Sequence, residues 1–155
     1  VIVPKQEKRK IPTQLADFEM PVINTYSIET TIAEKIDAIL SLMEFSSRMK
    51  DYYDIYYLAN KFDFDGAVLS DAFRKTFTNR EHVFTLEQFE QIMTFDSDDG
   101  MQKKWKAFTK KIDVKMDKFS VILETINRFT AEPFAAVIKD TVFQKQWSAI
   151  DGCWK

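Results

Sequence analysis

The sequence predicts a mainly α-helical α+β fold, with short N-terminal β segments followed by a helical bundle. Three observations carry that reading. Only 3 Gly and 4 Pro occur in 155 residues, too few for a turn-rich β architecture. From Ile28 to Met43 apolar residues recur at the 3–4 spacing of a buried helical stripe. Hydrophobic residues make 45% of the chain and include 14 Phe, enough for one domain with a core of large rings.

The elements follow in order. Val1–Val3 reads as the end of a short strand and Val22–Tyr26 as a second, with Pro12 and Pro21 bracketing an irregular connection. Ser27 is an N-cap, opening a helix to about Met43 whose stripe is Ile28, Ile32, Ile36, Ile39, Leu40 and Met43. After a polar connection, Glu44–Ser47, a second helix runs from about Met49 to Lys61. Phe62–Gly66 reads as a loop and a third helix ends near Phe77. Thr85-Leu86-Glu87-Gln88 matches a capping box and opens a short helix to about Met93. An acidic turn, Asp96–Gly100, precedes a lysine-rich amphipathic helix from about Met101 to Ile112. A helix from about Asp117 to Phe129 is expected to break before Pro133, which suits the first turn of another. Residues 143–155 show no period and read as an irregular tail beyond a helical region, 27–142, of a single domain.

Composition narrows the function classes. No apolar run approaches the ~20 residues of a membrane span. The start, Val1-Ile2-Val3-Pro4, has no signal-peptide pattern and no initiator Met, so the chain is expected to be cut from something longer. A single Cys153 leaves no disulfide framework or cysteine-based zinc site, and the cytoplasm is the expected compartment. Net charge is -2, without a global bias toward nucleic acid. Yet Lys103, Lys104, Lys106, Lys110, Lys111, Lys115 and Lys118 surround Trp105 and Phe108. Such a segment either contacts a nucleic-acid backbone or is a solvated face, the commoner case.

The chemistry concentrates in two places. Ala33-Glu34-Lys35 lies on the first helix, with Lys35 on the margin of its apolar face, where a lysine must snorkel or find an anion. Thirteen residues after that lysine begins Arg48-Met49-Lys50-Asp51-Tyr52-Tyr53-Asp54. Asp51 and Asp54 share a helical face with Ile55 and Leu58, so both acids look inward. Local pairing, Arg48 with Asp51 and Lys50 with Asp54, accounts for the charges but not for that orientation. Two close carboxylates can hold Mg²⁺ or act as a base, and adjacent cations keep them ionised. Tyr52, Tyr53, Tyr56 and Tyr57 read as packing. His82 lacks a triad arrangement and reads as a loop or core histidine.

With Tyr26-Ser27-Ile28-Glu29, Ala38 and Ser47-Arg48-Met49-Lys50-Asp51-Tyr52-Tyr53-Asp54-Ile55, these motifs resemble the C-terminal half of the AbiEii/AbiGii nucleotidyltransferase toxins. That family belongs to the DNA polymerase β-like superfamily and acts in type IV toxin–antitoxin and abortive-infection systems. The resemblance covers about Val22 to Arg80. It implies that residues 1–26 are the remnant of a nucleotidyltransferase sheet. It places Lys35 on nucleotide phosphates, Asp51 and Asp54 as the acidic catalytic element, and Arg48 and Lys50 as phosphate-binding support. It implies a nucleoside triphosphate and Mg²⁺, with the metal ligands mainly outside this chain, an acceptor with RNA among the candidates, and a cognate antitoxin. The family's Gly-Ser and D-x-D motifs are absent ahead of these residues, so the isolated chain is expected to be inactive. Asp63-Phe64-Asp65 spells D-x-D but reads as a cap and turn, and Asp96, Asp98 and Asp99 as solvated. The competing class is a non-catalytic helical module that binds a protein partner such as an antitoxin.

Overall fold

The computed structural model describes residues 27–112 and 118–155. The two expected strands, Val1–Val3 and Val22–Tyr26, lie outside the described residues, as do Lys115 and Asp117. Within them the chain runs α1 (Ile28–Leu42), α2 (Met49–Lys61), β1 (Phe64–Asp65), α3 (Gly66–Asn79), α4 (Leu86–Ile92), α5 (Asp99–Ile112), α6 (Phe119–Lys139), β2 (Gln146–Ser148) and β3 (Cys153–Trp154). The result is mainly helical with a small antiparallel sheet of order β1-β2-β3.

Side chains satisfy the helix starts. Ser27 Oγ accepts from Thr30 N at 3.0 Å, and Asp65 Oδ1 from Ala67 N at 2.9 Å. Thr85 and Gln88 form both halves of the capping box. Asp98 Oδ1 accepts from Met101 N at 2.9 Å, so one of the three acids read as solvated is the cap of α5. Asp63 Oδ1 accepts from Ala149 N at 2.8 Å, which gives the D-x-D triplet a structural use at both acids.

The buried stripe of α1 packs mainly on α3, and α6 lies across α2 and α3, while α5 leans on α2. Large rings fill the core as expected: Phe134 stacks on Phe89 with centroids 4.9 Å apart and meets Phe77 edge-on at 6.0 Å. His82, in the loop after α3, places Nδ1 2.9 Å from Asp37 Oδ2, tying that loop to buried Asp37 of α1.

Three expectations are corrected, and the C-terminal segment takes part in each. The helix expected to break before Pro133 continues, as α6, to Lys139 with Pro133 inside it. Proline lacks the N–H that would bond the carbonyl four residues back, which is Phe129 O. Trp154 Nε1 donates to that carbonyl at 3.0 Å and so replaces the lost hydrogen bond. The tail expected to be irregular is ordered: β2 pairs with β1 and β3, and Trp147 Nε1 donates to Ala59 O in α2 at 2.7 Å. Trp147 is 1% exposed and packs on Phe129 at 4.9 Å. Burying a ring of that size contributes roughly 4–6 kcal/mol by area, an upper estimate. The loop expected at Phe62–Gly66 contains β1, and Gly66 N donates to Lys145 O at 2.8 Å. A Cβ at Gly66 would stand 2.5 Å from that same oxygen, so only glycine lets the tail cross there.

Candidate functional site

Three elements bring charge to one place. The first half of α1 carries Glu34 and Lys35, the N-terminal half of α2 carries Lys50, Asp51 and Asp54 behind its cap residue Arg48, and Arg80 follows the end of α3. Thr30, Thr31, Glu34, Lys35, Ala38, Arg48 and Arg80 line a cavity of about 340 Å³. That volume lies at the lower end of the range for small-molecule sites.

Lys35 Nζ lies 2.9 Å from Asp54 Oδ2 and 3.4 Å from Asp51 Oδ1. Lys50 Nζ approaches the same Asp54 oxygen at 3.0 Å, and Arg48 Nε meets Asp51 Oδ2 at 3.0 Å. The predicted residues thus form one connected network. The acids look inward as their spacing predicts, with side chains 0% (Asp54) and 5% (Asp51) exposed. The cations grade outward, from Lys35 at 14% through Lys50 at 33% to Arg48 at 59%. Arg80 pairs with Glu34 beside them.

The electrostatics follow from burial. Desolvation pushes the Asp54 carboxyl above its ordinary value, with Lys35 and Lys50 pulling it back. Its second oxygen, Oδ1, is buried without a hydrogen-bond partner among the described residues. Three cations face two carboxylates in this network, while Arg80 and Glu34 cancel. Among the described residues the network with Arg80 and Glu34 thus holds four cations against three carboxylates, and those that line the cavity are Lys35, Arg48, Arg80 and Glu34, which suits an anion.

The same count bears on a metal. Each acid is already held by two cations, and a divalent ion at Asp54 Oδ2 would face two ammonium groups. Among the described residues no group of three or more His, Cys, Asp or Glu could hold a metal ion. These residues fit phosphate and do not fit a Mg²⁺ cage, which takes oxygen ligands free of competing cations.

The loop between α1 and α2 aims Arg48. It contains a one-turn 3₁₀ helix, Met43–Phe45, with Met43 at φ 50°. Arg48 N donates to Ser46 Oγ at 2.9 Å, and Lys104 Nζ of α5 donates to Glu44 O at 2.7 Å and to Ser46 O at 2.9 Å. Sequence reasoning missed Arg80, Thr30, Thr31 and the structural use of Lys104. Arg80 lies 45 positions after Lys35 and 32 after Arg48, and no local spacing signals it. Tyr52, by contrast, is packing as read: it is 0% exposed and meets Phe119 edge-on at 5.3 Å.

A helical region thus gathers three cations over two buried acids beside a cavity, a make-up suited to an anionic ligand. The family model of the nucleotidyl transferase AbiEii toxin, type IV TA system, matches residues 1–144 of the chain. The chain belongs to that family of nucleotidyltransferase toxins of type IV toxin–antitoxin systems, and membership implies an antitoxin partner. No curated protein and no solved structure matches it. Among the described residues no helix is long and apolar enough to cross a membrane.

Proposed function

We propose that the cavity receives the triphosphate of a nucleoside triphosphate, and that this chain supplies the phosphate-binding wall of a nucleotidyl-transfer site. The observation that carries the proposal is the placement of Lys35: its ammonium sits 2.9 Å from a fully buried carboxylate, at the edge of a cavity it shares with Arg48 and Arg80. Lys35 is the catalytic contact, binding phosphate oxygens. Arg48 and Arg80 bind and orient the same group. Asp54 and Asp51 are too buried to reach substrate and act through Lys35 and Arg48, holding each at a fixed point; Lys50 completes the charge balance on Asp54.

In the transfer, an acceptor hydroxyl attacks the α-phosphorus, a new P–O bond forms, the bond to the leaving pyrophosphate breaks, and the hydroxyl proton passes to solvent or a base. Charge on the phosphoryl and pyrophosphate oxygens is what such sites must neutralise, and fixed cations do so without reorganisation. A divalent metal, when bound, supplies further neutralisation; its ligands are not the acids of this wall. RNA is the acceptor we favour, and the setting is growth inhibition and phage defence in the cytoplasm.

Calorimetric titration of ATP or another nucleoside triphosphate into the full chain tests the wall. Lys35→Met and Arg80→Gln should each weaken binding by about tenfold or more, since a charge-assisted hydrogen bond contributes roughly 1.5–3 kcal/mol. Unchanged affinity in folded Lys35→Met would refute the assignment. It would favour the competing reading, a non-catalytic helical module that binds an antitoxin, for which Lys35 has no role toward nucleotide.

A further inference from the structure

We propose that the exposed face of α5 docks the phosphodiester backbone of a nucleic-acid acceptor, a proposal that rests on the nucleotidyl-transfer reading above. Helix α5 carries Lys103, Lys104, Lys106, Lys110 and Lys111 against a single acid, Asp99, in its first turn. Lys103, Lys106, Lys110 and Lys111 are exposed, and none is paired with an acid among the described residues. Two exposed cations on other helices are paired, Lys75 with Asp71 at 3.5 Å and Arg128 with Glu124 at 2.9 Å, while Lys61 and Lys139, like the α5 lysines, have no acid partner among the described residues. Among the described residues four lysines of one helix therefore lack an acid partner, on a chain whose net charge is -2.

The strip has a direction. Lys103, Lys106 and Lys110 lie at i, i+3 and i+7, on one face and spanning about 10 Å along the axis. Lys104, turned the other way, grips Glu44 O and Ser46 O in the loop that delivers Arg48. One turn on, Phe108 meets Tyr53 of α2 with ring centroids 6.1 Å apart, between Asp51 and Asp54 in sequence. The face of α5 that carries Lys104 and Phe108 thus packs beside α2, and Lys103, Lys106 and Lys110 stand on the opposite, exposed face.

The apolar side of α5 is already used, since Met101 is 0% and Trp105 5% exposed. A helix that lies in a membrane interface needs a free apolar face, which α5 lacks. A polyanion tracked by charge alone fits the strip, and the phosphodiester chain of an acceptor is the polyanion that nucleotidyl transfer supplies.

The test is fluorescence anisotropy of the full chain with a labelled single-stranded RNA and a DNA of the same sequence. Three phosphate contacts predict a log–log salt slope of roughly -2.1, and so an affinity loss of about 18-fold from 50 to 200 mM salt. Lys103→Ala/Lys106→Ala/Lys110→Ala, on exposed positions where alanine favours helix, should bring that slope close to zero. Arginine at the same three positions should restore it, and triphosphate affinity should stay unchanged throughout. Preference for the RNA over the DNA would identify the acceptor's source; equal binding would identify backbone recognition alone. Nucleic-acid affinity and slope unchanged in the alanine variant would overturn the proposal. So would dependence on these lysines only for vesicles of phosphatidylserine and phosphatidylcholine, or only for the antitoxin. Lysine-dependent RNA binding in a chain that binds no triphosphate would retain the α5 surface and sink the cavity reading instead.

Discussion

Removing the Lys35 ammonium while keeping its stem is the most direct perturbation of the network. Lys35→Met strips one cation from two buried carboxylates, at 2.9 Å from Asp54 and 3.4 Å from Asp51. Breaking a buried ion pair typically costs about 3–5 kcal/mol because a charge is left without compensation. Here the remaining charges are partly covered, Asp54 by Lys50 at 3.0 Å and Asp51 by Arg48 at 3.0 Å, so the expected cost is lower, about 2–3 kcal/mol. For a chain of this length that is a fall in Tm of roughly 4–12 °C. Asp54→Asn, made alone and with Lys35→Met, closes a double-mutant cycle read by urea denaturation at neutral pH. The double variant should be more stable than the sum of the single effects predicts, by about 1–3 kcal/mol. Lys50→Met, at an i,i+4 position with a third of its side chain exposed, should couple to Asp54 by only about 0.3–0.5 kcal/mol. A Lys35–Asp54 coupling no larger than the Lys50–Asp54 coupling would refute the claim that Asp54 holds Lys35.

Two further outcomes follow from buried polar atoms in α2. The Tyr52 hydroxyl is buried without a partner among the described residues, and burial raises its pKa, so Tyr52→Phe should stabilise the fold by about 1 kcal/mol, seen as a higher urea midpoint; an unchanged or lower midpoint would mean that the hydroxyl is bonded. Desolvation raises the Asp54 pKa above 3.8 despite its two lysines. Between that ordinary value and the raised one, the folded chain keeps a proton that the unfolded chain has lost. This contribution to stability is complete below pH 3.8 and fades as pH rises through the folded-state pKa. Thermal melts from pH 3.5 to 7 should therefore show the parent losing stability relative to Asp54→Asn as pH rises, and the opposite trend would contradict the desolvation argument.

What was legible in the sequence was whatever depends on neighbours along the chain. The stripe Ile28, Ile32, Ile36 placed Lys35 on the margin of its helix, and the three-residue spacing of Asp51 and Asp54 turned both acids inward, because helical geometry alone sets those directions. The Thr85–Gln88 box was legible for the same reason. Contacts across long separations were not. Pro133 reads as a helix start until Trp154, 21 positions later, supplies the donor that its nitrogen lacks. Arg80 joins the cavity only because α3 packs on α1, and Lys104 is one of seven similar lysines until the fold sets its ammonium on the Ser46 carbonyl. A lysine's role depends on what lies within 3 Å of its tip, and composition does not encode that.

The buried acids also explain how three cations can wait in one place for a ligand. Without Asp51 and Asp54, the Lys35, Lys50 and Arg48 charges would repel one another and spread their side chains into solvent, and each would have to be ordered when phosphate binds. With the acids behind them the cations are held before substrate arrives, at the cost of burying two carboxylates. That cost is visible in the raised Asp54 pKa and in its oxygen without a partner among the described residues. An arrangement built only for stability would do better with apolar side chains of the same volume at these positions. On the proposed reading, a buried charge network is retained beside the cavity because it organises cations for an anion that comes and goes. Asp54 is the residue at which that reasoning can be weighed, because the stability penalty of its charge and the positioning of Lys35 act on the same carboxylate.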